Sequence, residues 1–252
     1  NNGYVNSGVV LPDGEPSPGV LTLRAIEGEL QEVQILENER LSRPYVETRL
    51  RRNIDKPLNL NDLQDSLRML ELNPLIRQVN GVLVPGLTPG VADLRLRVQE
   101  EQPLRLGLSL DNYRSPSVGA ERALLTLEHL NLTRRADRLA LAVSASEGLQ
   151  DAYISYQLPV NSYDTRIKLE YQRGQSEVIE APFDDLDIES DTESWAVSVS
   201  HPLIDSLDRY VTVTAGLNHS ETDTSLLGKP FSFSLGARNG EIAATNASIS
   251  GE

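Results

Sequence analysis

The side chains that most often carry out chemistry are sparse in this chain, and their spacing matches no catalytic or metal-binding pattern. The sequence has no cysteine and three histidines. His129, His201 and His219 show neither HxH nor HExxH spacing, so no zinc site is predicted. Serine never falls in a GxSxG context, and no phosphate-binding loop or dinucleotide fingerprint is present. We therefore interpret the protein as not an enzyme, with no catalytic residues, no metal and no cofactor.

An acidic segment, Glu177–Glu193, is the remaining candidate for a chemical role. It is rich in carboxylates and holds neither Lys nor Arg. Calcium prefers oxygen ligands, but the stretch DDLDIESDTE lacks the glycine that an EF-hand loop needs at its sharp turn. A calcium site and a solvated loop both stay open, and the loop is favoured. We predict that Gln175–Glu193 is a long, mobile external loop, because dense like charge opposes packing.

Composition excludes several classes of protein. The net charge of -14 argues against nucleic acid as a partner, because phosphate binding needs a basic surface. No run of about 18 apolar residues is present, so no transmembrane helix is predicted. The chain opens without a signal peptide. It is therefore expected to be either cytosolic or an internal piece of a longer precursor.

The elements between Leu30 and Glu100 predict a small α+β domain. Leu30–Glu37 reads as a strand, and Ser42 can cap a helix that begins at Arg43. Asn59 or Asn61 can cap a second helix. The apolar positions of that helix have helical spacing and are Leu60, Leu63, Leu67 and Leu70.

A strand pair follows these helices. Asn73-Pro74 ends the helical pattern, and two Pro-Gly turns then separate Arg77–Val84 from Val91–Gln99. The second strand alternates cleanly, which predicts one buried face made of Ala92, Leu94, Leu96 and Val98. The order strand–helix–helix–strand–strand is that of a POTRA domain, although pattern alone also fits a generic α+β domain.

From Pro103 onwards the pattern consists of strands with alternating apolar and polar residues. The predicted strands are Leu104–Asp111, Arg122–Glu128, Arg138–Ser144, Asp151–Leu158, Arg166–Gln172, Trp195–Ser200 and Val211–Asn218. Such alternation is typical of a transmembrane β-barrel and also of a soluble β-sandwich.

The predicted connections favour the barrel. Pro159–Asp164 and His201–Asp208 read as short turns, whereas Gln175–Glu193 and Ser220–Lys229 read as long polar loops. Short turns at one end and long loops at the other are typical of outer-membrane barrels. Leu106, Leu125, Leu141 and Ile154 are then expected to face lipid.

One stretch carries a resemblance to a known family. Asn73–Glu100 reads NPLIRQVNGVLVPGLTPGVADLRLRVQE, and it resembles the end of the second POTRA domain in the outer-membrane transporters of bacterial two-partner secretion. These are the haemolysin and filamentous-adhesin exporters. The resemblance extends back to Gly3–Pro12 and on through Pro103–Pro202. The chain departs from the family pattern at Asn131–Asp137, where a turn glycine is missing, and in lacking a Val-Arg-Gly-Tyr-like motif.

The resemblance implies a domain arrangement and a function. Residues 1–28, where Tyr4–Val10 and Gly19–Ile26 are predicted to pair, would end a first POTRA domain. Residues 29–101 would form a second POTRA domain, and residues 102–252 the N-terminal half of an outer-membrane β-barrel. The implied protein is a monomeric translocase in the outer membrane of a Gram-negative bacterium, with its POTRA domains in the periplasm. It would contact outer-membrane lipid and export one large haemolysin, adhesin or contact-dependent toxin.

Two alternatives stay open. One is an outer-membrane protein insertase of the same superfamily, and the other is a soluble β-rich adhesin or binding module. For the two-partner translocase, the resemblance places client binding on an edge strand. Its residues are Arg77, Gln78, Val79, Asn80, Gly81, Val82, Leu83 and Val84. A proline at Val82 is expected to remove one edge donor. The residues expected to line the pore are Arg105, Ser109, Asp111, Arg122, Thr126, Glu128, Arg138, Ser144, Arg166, Lys168 and Glu170.

Overall fold

The computed structural model describes residues 3–12, 20–232 and 237–251. The chain divides into two compact units. The first comprises Asn1–Glu101 with Ser206–Arg209, and the second comprises Gln102–Asp205 with Tyr210–Glu252. Within the described ranges, no helix is both long enough and apolar enough to cross a membrane.

The first unit begins with a short strand pair. Strand β1, Gly8–Val10, pairs antiparallel with β2, Arg24–Ile26. Both lie within the segments predicted to pair, although the observed strands are shorter. Most of the turn predicted between them, residues 13–19, lies outside the described residues.

A three-stranded sheet and two helices form the rest of the first unit. The elements in chain order are β3 (Glu29–Leu36), α1 (Arg43–Arg51), α2 (Leu60–Glu71), β4 (Ile76–Pro85) and β5 (Val91–Glu100). The sheet order is β3-β5-β4, so β5 is central. It runs parallel to β3 and antiparallel to β4. This is the strand and helix order that the sequence predicts.

Capping and burial explain why the two helices form where they do. The Ser42 hydroxyl accepts a 3.3 Å hydrogen bond from the Tyr45 N–H, and the Asn59 side chain accepts one of 2.9 Å from Asn61. Between Asn59 and Asn61, the structure therefore selects Asn59 as the cap. The core beneath the helices is apolar and includes Val46, Leu50, Leu63, Leu70, Ala92, Leu94, Leu96 and Val98.

The second unit is an antiparallel sheet that follows the chain order. Its strands are β6 (Leu104–Asp111), β7 (Arg122–His129), β8 (Arg138–Ala145), β9 (Leu149–Pro159), β10 (Arg166–Glu177), β11 (Ile188–Asp205), β12 (Tyr210–Leu226), β13 (Lys229–Pro230) and β14 (Glu241–Gly251). Strands β6 to β13 are neighbours in sequence order, and β14 also pairs with β12. The described sheet is open, with β6 at one edge.

Three predicted loops are wrong in extent, because the strands continue into them. The acidic segment is mostly strand: Gln175–Glu177 belongs to β10 and Ile188–Glu193 to β11, so only residues 178–187 connect them. Strand β11 runs on to Asp205 past an irregularity at Pro202, and β12 runs to Leu226. A ladder of backbone hydrogen bonds holds these polar residues in strands, with their charged side chains free to face solvent.

The sheet also contains a C-terminal strand that was not predicted from the sequence, and the loop lengths differ from expectation. Glu241–Gly251 forms β14 and pairs with β12 over its whole length. The difference in loop length between the two ends of the sheet is smaller than predicted. Residues 146–148 make a tight turn at the end that carries the longer connections 112–121 and 178–187, while 130–137 is long at the other end.

Candidate functional site

The antiparallel register places most large apolar side chains of the second unit on one face of its sheet. Residues directly opposite each other project to the same face. One row of paired positions therefore crosses the sheet through Leu106, Leu127, Leu141, Ile154, Tyr171, Trp195 and His219. Leu125 belongs to the adjoining row, opposite Leu108 and Val143. The four side chains expected to face lipid thus share one face of the sheet.

The opposite face carries the positions expected to line a pore. The register brings together Arg105, Ser109, Asp111, Arg122, Thr126, Glu128, Arg138, Ser144, Arg166, Lys168 and Glu170. Leu124 is an apolar exception, since it pairs with Ser109 and Ser144. We call this surface the polar face.

Charged groups on the polar face between β6 and β10 are paired with one another. Arg122 binds the Asp111 carboxylate at 2.7 Å. Glu128 lies between Arg105, at 3.2 Å, and Arg138. Lys168 binds Glu170 at 2.7 Å, and the Tyr153 hydroxyl donates to the same carboxylate at 2.6 Å. This part of the polar face therefore presents compensated charge rather than isolated charges.

The polar face of β11, β12 and β14 is different, and none of its residues is among the candidate pore-lining positions predicted from the sequence. Its side chains are uncharged hydroxyls and amides, with alanine and glycine between them, and include Ser194, Ser198, Asn218, Ser220, Asn246 and Ser248. Gly216 lies between Ser198 and Ser248, where a Cβ would meet the Ser198 Cβ at 3.3 Å. The sequence does show Ser, Thr and Asn alternating with apolar residues in these strands. The predicted pore-lining positions lie on other strands because they were chosen mainly for their charge.

The turn between β7 and β8 is built around a buried carboxylate. The Asp137 side chain is 0% exposed and accepts hydrogen bonds from the Thr133 N–H, the Thr133 hydroxyl and the Tyr156 hydroxyl, at 2.8, 2.7 and 3.0 Å. Burial acts to raise its pKa, but these hydrogen bonds outweigh burial and hold the pKa of Asp137 below its ordinary value. Arg134 and Ala136 adopt positive φ here, so non-glycine residues take the backbone conformation that a turn glycine would otherwise supply.

Strand β4 has a free side, and its backbone alternation identifies the exposed groups. Among the described residues, only β5 pairs with β4. The Gly86 N–H donates to the Val91 carbonyl at 3.0 Å. Because the hydrogen-bonding direction alternates along a strand, the backbone N–H groups of Val82 and Val84 also point toward β5. The Val79 N–H instead points outward and donates to the Glu71 carboxylate at 2.8 Å. Gly81 and Leu83 share the outward direction of Val79.

This alternation corrects one expectation for the edge. The Val82 N–H points into the ladder opposite Arg95, so a proline there would break the sheet rather than remove an edge donor. Of the predicted client-binding stretch, the alternate residues Val79, Gly81 and Leu83 carry the outward N–H groups. The Val79 N–H is already occupied by Glu71.

The three histidines occupy separate places. His129 accepts from the Asn131 N–H at 3.2 Å, His201 contacts the Thr165 hydroxyl at 2.7 Å, and His219 lies 3.0 Å from Glu221. In the parts of the chain that the structure describes, no cluster of His, Asp or Glu has the arrangement of a metal site.

Comparison with known proteins gives the family of this chain. The sequence model of the haemolysin secretion/activation protein family ShlB/FhaC/HecB matches residues 90–234. This range is more than half of the chain. The chain therefore belongs to this family of two-partner secretion transporters.

Individual relatives agree with this assignment. The outer membrane transporter CdiB of Dickeya dadantii is 28% identical over 145 residues, covering 57% of this chain and 25% of the relative. The heme/hemopexin transporter protein HuxB of Haemophilus influenzae is 24% identical over 233 residues, covering 87% of this chain and 39% of the relative. The chain thus spans well under half the length of these relatives.

Solved structures show the same fold. CdiB from Escherichia coli superposes with a TM-score of 0.68 at 21% identity, over 99% of this chain and 46% of that one. BamA from Haemophilus ducreyi superposes with a TM-score of 0.65 at 12% identity, over 98% of this chain and 48% of that one. The mostly antiparallel β-structure of the second unit is therefore similar to that of known outer-membrane barrels.

Proposed function

We propose that this chain is part of an outer-membrane translocase of a two-partner secretion system, which exports one large partner protein. The observation that carries the proposal is the family match, because it falls mainly on the two-faced sheet of the second unit. An apolar face toward lipid and a polar face toward a water-filled lumen are what a conducting barrel requires. The protein acts as a monomer in the outer membrane of a Gram-negative bacterium.

The domain assignment follows from this proposal. Residues 1–28 are the end of a first POTRA domain, and residues 29–101 are a second one, located in the periplasm. Residues 102–252 supply the N-terminal half of the barrel. The β-α-α-β-β order of the first unit and the open sheet of the second support this division.

The POTRA domain captures the unfolded partner by adding it as a strand to β4. The outward N–H groups of Gly81 and Leu83 are the donors that such a strand would use. Main-chain hydrogen bonds do not depend on side-chain identity, so this edge accepts many segments of a long partner. Of the two edge strands of this sheet, β4 is the better binding edge, because a side chain already occupies backbone carbonyls of β3. There the Arg51 guanidinium donates to the Leu30 and Gln31 carbonyls at 3.3 and 2.9 Å.

The polar face conducts the partner. Its charged groups on β6 to β10 already bind each other, so they hold a passing chain weakly. The hydroxyl and amide side chains of β11, β12 and β14 exchange hydrogen bonds with a polypeptide backbone without demanding one sequence. Both properties suit transport of a long, varied partner.

The two alternative functions predict different behaviour. An outer-membrane protein insertase would be required for the assembly of many barrels, and the similarity to BamA at 12% identity speaks only for the fold. A soluble adhesin or binding module would need no detergent for extraction. A two-partner transporter needs detergent and affects one secreted protein.

The test is deletion of the gene that encodes the full-length protein. The large protein encoded beside it should then stay with the cells, and the full-length transporter supplied on a plasmid should restore its release to the medium. The levels of other outer-membrane barrels serve as the control and should not change. Unchanged release would contradict export, and a general loss of barrels would instead indicate an insertase.

A further inference from the structure

The connection between β6 and β7, residues 112–121, contacts the neighbouring turns with its main chain and strands β8 and β9 with one side chain. After β6 the chain reaches Arg114, then a 3-10 turn at Pro116–Val118 that Ser115 caps. The guanidinium of Arg114 donates to the Ser144 hydroxyl at 2.6 Å and binds the Asp151 carboxylate. These partners belong to β8 and β9, so Arg114 reaches across β7.

The contact lies on the polar face. Ser144 and Asp151 are directly opposite each other, and Ser144 is also opposite Leu124, in the set that projects to that face. The Ser144 hydroxyl donates to the Asp151 carboxylate at 3.0 Å, so the three side chains form one network. Ser144 is 9% exposed, and the Arg114 and Asp151 side chains are 17% and 27% exposed. The guanidinium therefore covers Ser144 from the side of the proposed lumen.

Backbone hydrogen bonds hold the rest of the connection against the neighbouring turns. The Gly148 N–H donates to the Val118 carbonyl at 3.0 Å, and the Ile179 N–H donates to the Ser117 carbonyl at 2.9 Å. Gly119 has φ of 86°, and a Cβ there would meet the Glu147 backbone nitrogen at 2.9 Å. The connection from Ser115 onward is thus fixed by main-chain and capping contacts, whereas residues 112–114 reach β8 and β9 through the Arg114 side chain.

We propose that residues 112–115 form a latch that narrows the conduit at this end of the sheet and is closed by the ion pair between Arg114 and Asp151. The proposal rests on the translocase function. Removing one member of a partly buried ion pair leaves the other uncompensated, so each single replacement should open the latch. A passing chain would open it by offering its own carbonyl and carboxylate groups to Arg114.

The first experiment measures access to Ser144, and it does not require transport. These 252 residues hold no cysteine, so Ser144→Cys gives a single site for a membrane-impermeant maleimide in a full-length transporter in which any cysteine outside them has been replaced by serine. Its labelling should be slow, and adding Arg114→Ala should raise the rate. The matched control is Arg173→Ala, which removes another arginine that binds an aspartate, Asp191 at 3.0 Å, on the opposite face.

The second experiment measures single-channel conductance of the purified full-length protein in planar bilayers. Arg114→Ala and Asp151→Asn should each increase conductance, Arg173→Ala should not, and the exchange of Arg114→Asp with Asp151→Arg should return it toward the natural value. If Arg114→Ala does not assemble, Asp151→Asn, which keeps the side-chain shape, gives the same test.

The outcomes separate this inference from the proposed function. If the natural protein conducts but neither labelling nor conductance responds to the loss of Arg114, the latch is wrong and the translocase stands. If labelling rises while the natural protein forms no channel, the contact narrows no conduit, and both proposals fall.

Discussion

The carboxylate of Glu71, the last residue of α2, accepts a 2.8 Å hydrogen bond from the backbone N–H of Val79 in β4. The helix thereby occupies one of the outward donors of an edge strand. This leaves Gly81 and Leu83 as the donors available to an added strand. Under the proposed strand addition, the position of the helix end thus limits where on β4 a partner can pair.

Replacing Glu71 should weaken the first unit modestly. Glu71→Ala leaves the Val79 N–H without its carboxylate, and we expect a loss of about 0.5–1.5 kcal/mol in unfolding free energy. Denaturant unfolding of the purified chain measures this. Glu71→Gln is the control, because its amide oxygen still accepts the bond. Equal destabilisation by both variants would show that the hydrogen bond contributes little.

Two proline replacements in β4 should distinguish the outward N–H groups from those that bond to β5. Leu83→Pro removes an outward N–H and should reduce binding of the secreted partner while the unit stays folded. Val82→Pro removes a donor in the ladder to β5 and should destabilise the unit by about 1 kcal/mol or more. Binding is measured by pull-down, and folding by circular dichroism. Unreduced binding by a folded Leu83→Pro variant would contradict strand addition at this edge.

Arginine replacements at two neighbouring residues of β8 should destabilise the protein by very different amounts. Leu141→Arg places a charge on the apolar face and should cost about 2–4 kcal/mol if that position is near the bilayer midplane. Ala140→Arg places the same charge on the polar face and should cost far less. Urea unfolding in lipid vesicles gives both values. A similar cost for the two variants would mean that neither face contacts lipid.

Asp137 should make stability depend on pH. Because the pKa of Asp137 is held below its unfolded value, its stabilisation is present above that unfolded value and is lost as the pH falls through the folded pKa. Asp137→Asn should lower stability at neutral pH and flatten the acid dependence. Unfolding followed between neutral pH and acid checks this. An unchanged pH profile would show that this carboxylate does not control the turn.

The sequence predicted those features that a few local residues decide. Ser42 and Asn59 have side chains that cap helices, and the alternation from Ala92 to Val98 requires a strand with one buried face. The alternation in β6 to β10 likewise identified the two faces of the larger sheet, since register preserves whatever alternation the strands carry.

Other features depend on partners that are distant in the sequence. Glu189 and Glu193 read as loop residues because they are acidic, yet hydrogen bonds to β10 and β12 hold them in β11. Glu241–Gly251 has only two large apolar residues, Ile242 and Ile249, and its pairing with β12 makes it a strand. The contact between Arg114 and Asp151 joins residues that are 37 positions apart, and no local pattern marks it.

The central claim is that the larger sheet has one face toward lipid and one toward water, and thiol labelling tests it most directly. These 252 residues hold no cysteine, so each single replacement gives one reactive site once any cysteine elsewhere in the full-length protein has been replaced by serine. In outer membranes carrying the full-length protein, Ser109→Cys and Thr126→Cys should react with a small water-soluble maleimide. Their neighbours Leu108→Cys and Leu125→Cys should stay unreacted until detergent is added. Equal reactivity within each neighbouring pair would contradict the account.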